Sequence, residues 1–180
     1  MNRMEGWAGM TTTPRSALRL LVAVAIATAT ATACASNDTT PSGLGAKQLS
    51  VSGDTVVGTG SLAELQQRRA AWVARGVNDY QVQLQISCFC IGDITRPVLI
   101  EVRGGAVAKV WDLETGRAVT NLSTYPTITA LFDKAITERS GGGNVSVTYD
   151  ATHGFPVRLE IGTIANDAGT LYMLGALRAL

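Results

Sequence analysis

The chain has 180 residues, of which 46% are apolar and 16% charged, with a formal net charge of +1. That length allows one globular domain, and the apolar share is too high for a disordered chain. The charges are balanced and form no basic patch, which argues against a nucleic-acid partner.

Residues 1–33 read as a signal peptide. Arg15 and Arg19 precede the apolar, small-residue run LLVAVAIATATATA, which is too short to span a bilayer as a stable helix. Met10 is the more usual opening for such a leader than the nine residues before it. Losing residues 1–33 removes Arg3, Arg15, Arg19 and Glu5, which leaves 12 basic and 13 acidic side chains and a mature charge of −1. The run closes on Ala31-Thr32-Ala33-Cys34, which resembles a bacterial lipobox. That resemblance implies that Cys34 receives lipid and becomes the new N-terminus, although a leucine is more usual where Ala31 stands. The other reading is ordinary cleavage that leaves Cys34 as a free thiol. Residues 34–60 are rich in Ser, Thr, Gly and Asp and lack a sustained apolar period, as expected of a lipid-anchored flexible linker. Within it, Val51, Val56 and Val57 offer a short edge strand.

Residues 61–180 are expected to form a single domain. Ser61-Leu-Ala-Glu64 has the spacing of a capping box, and the helix it opens runs to Gly76. Leu62, Leu65, Trp72 and Val73 give that helix an apolar face, with Arg68, Arg69 and Arg75 on its solvated side. From Tyr80 the chain alternates: Tyr80, Val82, Leu84, Ile86, Cys88 and Cys90 share one face of a strand, opposite Gln81, Gln83, Gln85, Ser87 and Phe89. Three glutamines mark the second face as wet, so the cysteines are expected to continue the core row. The loop GDITRP leads to the strand VLIEVR, and Gly104-Gly105 is a two-residue hairpin connection to AVAKVW. Lys109 interrupts that strand's apolar pattern and leaves its inward face open.

A turn at Glu114-Thr-Gly116 and Pro126 precede a second helix, in which Ile128, Leu131, Phe132, Ala135 and Ile136 form an amphipathic stripe. Gly141-Gly-Gly143 ends it. NVSVTYD, VRLEI and LYMLGALRAL then read as three more strands. The order αβββαβββ predicts an α+β fold: antiparallel sheet with two amphipathic helices packed on one face.

Several segments together resemble a family of small, uncharacterised bacterial secreted lipoproteins. They are Trp72, Asp79-Tyr80, Cys88-Phe89-Cys90, Val102-Arg-Gly-Gly105, the Thr-Ile-x-x-Leu-Phe-Asp-x-x-Ile run ending at Ile136, Val147-Thr-Tyr-Asp150 and Gly154-Phe-Pro156. The resemblance covers residues 64 to 178, and it departs from the family at Ile161-Gly162, where an aspartate is expected after the isoleucine. It implies an envelope location and one domain, and it supplies no activity.

Cys88 and Cys90 are the residues best suited to chemistry. Paired cysteines in an oxidising compartment favour a disulfide, but positions i and i+2 of a regular strand lie near the upper limit of its reach, so a bond requires a local distortion. Three readings stay open: a structural disulfide, two buried thiols, and a thiol redox or soft-metal pair, the last short of further ligands. His153, the only histidine, sits in a turn beside Asp150, with no serine on a nucleophile elbow to complete a triad. Asp150, Thr152 and Gly154 carry too few acids for a calcium loop and suit a turn. Tyr80, Phe89, Tyr149 and Phe155 read as core or sheet-face residues, with Phe89 also a candidate contact. The sequence therefore predicts a membrane-anchored binding or structural module without catalytic residues, cofactor or metal, held by its N-terminal lipid and meeting an unidentified protein or small-molecule partner. The competing expectation is thiol redox or soft-metal handling by Cys88 and Cys90.

Overall fold

The computed structural model describes residues 53–90, 92–163 and 168–180. The segment read as a signal peptide, Cys34 and the expected linker up to Ser52 lie outside the described residues. The elements are β1 (Thr55–Val57), α1 (Leu62–Ala74), β2 (Tyr80–Cys88), β3 (Val98–Arg103), β4 (Ala106–Asp112), α2 (Ile128–Ser140), β5 (Val145–Asp150), β6 (Pro156–Ile161) and β7 (Thr170–Ala179). The seven strands form one antiparallel sheet in the order β1-β5-β6-β7-β2-β3-β4. The fold is α+β, as the alternation and the two apolar stripes predict. The expected order αβββαβββ gains one strand at its front.

Each half contributes a helix and a three-stranded meander, and the two meanders join where the last strand pairs with β2. One row of the sheet, including Tyr80, Val82, Leu84, Ile100, Val147, Tyr149, Leu159 and Leu174, meets Leu65, Trp72, Ile128, Leu131, Phe132 and Ala135 of the helices. These side chains make a single core between the sheet and the helix pair. Trp72 stands edge-on to Tyr80 and Phe155, and Phe132 stacks on Tyr149. Tyr80 also fixes the entry of α2, because its hydroxyl accepts the Ile128 amide at 3.0 Å and satisfies an otherwise orphaned helix donor.

The Gly104-Gly105 hairpin is as expected: both residues have positive φ, 56° and 79°, which glycine adopts at no steric cost. On β4 the open question is settled by a bulge. Glu101 pairs with Lys109 and Val102 with Val107, so Ala108 is the extra residue. Val110 and Asp112 are buried, whereas Lys109 is exposed and lies over the Trp111 ring at 5.8 Å.

Four expectations need correction. Val73 is 52% exposed, because α1 turns it past the edge of the stripe that Leu65 and Trp72 bury. Glu64 does not bond the Ser61 amide. Ser61 caps the Glu64 amide as expected, but the carboxylate reaches further back, to the amides of Thr59 at 2.6 Å and Gly60 at 3.2 Å. This contact accompanies the third correction: the stretch from Gly53 to Gly60, read as flexible linker, runs along the sheet edge, with the short edge strand expected at Val56 and Val57 in place. Within it Thr55–Val57 pairs with β5, and Gly58 donates to Val147. The fourth concerns Cys90. The core row of β2 ends at a half-buried Cys88; Cys90 is exposed, and Phe89 is 85% exposed.

Candidate functional site

The strand end that carries the cysteines borders an open cavity of about 540 Å³. Its wall takes Cys90, Asp93, Ile94 and Arg96 from the connection after β2. Val98 and Asp112 come from the ends of β3 and β4. Thr115, Arg117, Thr120, Asn121, Thr124 and Tyr125 come from the long connection to α2. Every one of these segments leaves the sheet at the end opposite the Gly104-Gly105 hairpin. The meander topology therefore gathers two connections, β2 to β3 and β4 to α2, over one edge of the core.

Cys88 and Cys90 are joined by a disulfide, with their Cα atoms 5.1 Å apart. The chain bends at Phe89 just past the last paired residue, Cys88 opposite Thr170, and this bend supplies the distortion that a straight strand lacks. Cys88 packs against the core, while Cys90 lines the cavity. Closing so short a loop contributes about 1.5 kcal/mol on the chain-entropy scale, against roughly 3 kcal/mol for a loop of about 15 residues. The bond therefore acts mainly on the local course of the cavity rim.

Asp112 organises the opposite wall. It is 8% exposed, and its Oδ1 accepts the Glu114 amide at 2.8 Å and the Thr115 amide at 3.0 Å. Its own amide donates to the Arg117 carbonyl at 2.9 Å. These bonds close the turn predicted at Glu114-Thr-Gly116, and Gly116 adopts φ 69° in it. Arg96 ties the turn to the cysteine connection, with its nitrogens 3.1 Å from Asp93, 3.4 Å from Asp112 and 3.5 Å from Glu114. Burial raises the cost of charge on Asp112, but the Thr115 and Glu114 amides and the Arg96 guanidinium outweigh it and hold its pKa below the usual carboxylate value. Tyr125 titrates higher than an ordinary tyrosine because burial, then the Asp112 and Asp93 charges, disfavour its phenolate.

Arg96 is thus committed to three carboxylates. Arg117 lines the same cavity, is exposed, and forms no ion pair among the described residues. The cavity therefore presents one uncommitted cation, two carboxylates, several hydroxyls and an amide beside the apolar Ile94, Val98 and Val119. Such a wall can meet both the donors and the acceptors of a small polar ligand.

The remaining candidates fall elsewhere. His153 lies at the β5–β6 turn with its Nδ1 3.0 Å from Asp150 Oδ1, an oxygen that also accepts the Thr152 amide at 3.0 Å. Asp150 is a turn-forming carboxylate, and among the described residues the His153 ring has no other hydrogen-bond partner. The structure does not bring His153 to the cysteines. Nor do three His, Cys, Asp or Glu side chains converge in a metal-holding group among the described residues. Sequence reasoning singled out Cys90 but missed Arg96, Asp112 and Arg117. Asp112-Leu-Glu114-Thr-Gly116 carries an Asx-turn signal that could have placed Asp112. Nothing in the spacing joins it to Arg96.

Comparison with curated proteins and with solved structures returns no match. Residues 64–177 match the model described as a family of unknown function (DUF6174), and the chain belongs to that family.

Proposed function

We propose that this protein is a lipid-anchored module of the bacterial cell envelope that binds a short peptide in the cavity beside Cys90. The anchoring half of the proposal rests on the sequence: the leader over residues 1–33 and the lipobox-like run ending at Cys34. The observation that supports the binding half is the cavity itself. Its volume lies within the range of small-ligand sites, and its wall combines opposite charges with hydroxyl and amide side chains. A peptide backbone offers donors and acceptors in alternation. Its termini would suit Arg117 at one end and Asp93 at the other, while Ile94, Val98 and Val119 accept small apolar side chains.

The test is titration of the isotope-labelled full chain with tri-alanine, read by amide chemical shifts. Saturable shifts at residues 115–125 are expected, lost in Thr120→Trp, where an exposed threonine is replaced by a side chain that fills the cavity. Absence of any saturable shift in the wild type overturns the binding assignment.

A further inference from the structure

The juxtaposition at the cavity rim goes beyond ligand binding and stands on a separate observation, the unequal exposure of two bonded cysteines. Cys90 is exposed and faces the cavity; Cys88 is half-buried and packs against the core. Between them Phe89 is the most exposed large apolar side chain of the described residues, at 85%. The bond closes a loop with a single intervening residue, so the fold depends on it little. Arg117, without a carboxylate partner among the described residues, lines the same cavity as Cys90.

From this arrangement we infer that the Cys88–Cys90 disulfide is a thiol–disulfide exchange site for peptide dithiols, with Cys90 as the sulfur that meets the partner and Cys88 as the leaving sulfur. A thiolate of the partner attacks Cys90 Sγ and forms a mixed disulfide. The Cys88–Cys90 bond breaks, and its electron pair leaves on Cys88 Sγ, which takes up a proton from solvent. The partner's second thiol, giving its proton to solvent, then attacks its own sulfur in the mixed disulfide. The partner's disulfide forms, and Cys90 leaves as a thiolate. The dithiol is oxidised by two electrons, the protein's disulfide is reduced by two, and no further reactant is needed. Exposure decides the order of attack, because the half-buried Cys88 offers an incoming sulfur a poorer line of approach. Phe89 supplies apolar contact for the incoming chain, and Arg117 is a positioning residue that draws the anionic thiolate toward Cys90.

The test uses the oxidised full chain and a reduced synthetic peptide bearing two cysteines, with acid quenching, alkylation and mass spectrometry. The wild type is expected to oxidise the peptide and to gain two free thiols, and mapping of the trapped intermediate is expected to place the peptide on Cys90. In Cys88→Ser the free Cys90 is expected to capture the disulfide form of the peptide roughly tenfold faster than Cys88 does in Cys90→Ser, as its greater access requires. Arg117→Ala is expected to slow the first step several-fold, because the incoming thiolate then loses the cation that attracts it to the cavity. It is also expected to flatten the dependence of that step on salt, which a purely structural role would leave unchanged. A wild type that keeps its disulfide in excess peptide overturns the inference, as does an intermediate mapped to Cys88. The mapping needs no variant, so a serine variant that fails to fold leaves the test intact.

Discussion

At the residue scale, the carboxylate of Asp112 does the most to shape the cavity. It accepts two amides of its own turn and the Arg96 guanidinium from a different connection, so one buried charge holds two walls in register. Replacing it with asparagine removes that charge while keeping one acceptor, and is expected to cost about 1–3 kcal/mol of stability in urea unfolding at neutral pH. The pH dependence has a definite sign. A carboxyl whose folded pKa lies below its unfolded value contributes stability above the unfolded value and loses it as pH falls through the folded one. The wild type should therefore lose stability from about pH 4 downward, and Asp112→Asn should lack that part of the loss. Equal acid profiles for the two proteins would count against the assignment. The sequence pointed to a turn here through Glu114-Thr-Gly116, yet the Arg96 partnership joins residues 16 positions apart across a hairpin and carries no local signal.

At the scale of elements, the short strand β1 pairs with β5, and one side chain of α1 fastens the chain that follows it. Glu64 accepts the amides of Thr59 and Gly60 and the Thr59 hydroxyl, and so fastens the chain between β1 and the helix. Glu64→Ala is expected to raise amide exchange at Gly58 and through Thr55–Val57, where the opening energy is small, and to leave β2 and β7 unchanged. Uniform protection in the variant would show that β1 is held by pairing with β5 alone. The amphipathic stripe of α2 and the alternation of β2 were legible because burial on one face writes a period into the sequence. β1 left only a pair of valines, since its three residues are all exposed and have no inner face to pattern. The same logic explains Cys90. Alternation extrapolates a core row beyond the last paired residue, but a bend at Phe89 ends the strand and the row with it.

For the whole molecule, the two halves share one core and one sheet, and the final strand closes it by lying against β2 in the interior of the order. The membrane tie proposed for Cys34 belongs to this scale, because it sets where the domain works and not how it folds. Metabolic labelling with a fatty acid should mark the wild type, and Cys34→Ala should lose both the label and the membrane fraction, with the domain still folded. An unlabelled wild type would remove the anchor from the proposal.

By itself, the sequence determined the class of fold, the two helices, six of the seven strands of the described residues and the hairpin at Gly104-Gly105, and it offered the seventh as a short edge strand. Each of these is a local matter of period, capping or backbone freedom. It also singled out the cysteine pair, and its family resemblance over residues 64 to 178 agrees with the matched span of 64–177. Only the tertiary structure decided which strands neighbour each other, that Cys90 faces a cavity and not the core, and that Arg96, Asp112 and Arg117 stand on its wall. These depend on where connections from distant parts of the chain meet once the sheet has closed, and no pattern within a single segment encodes that meeting.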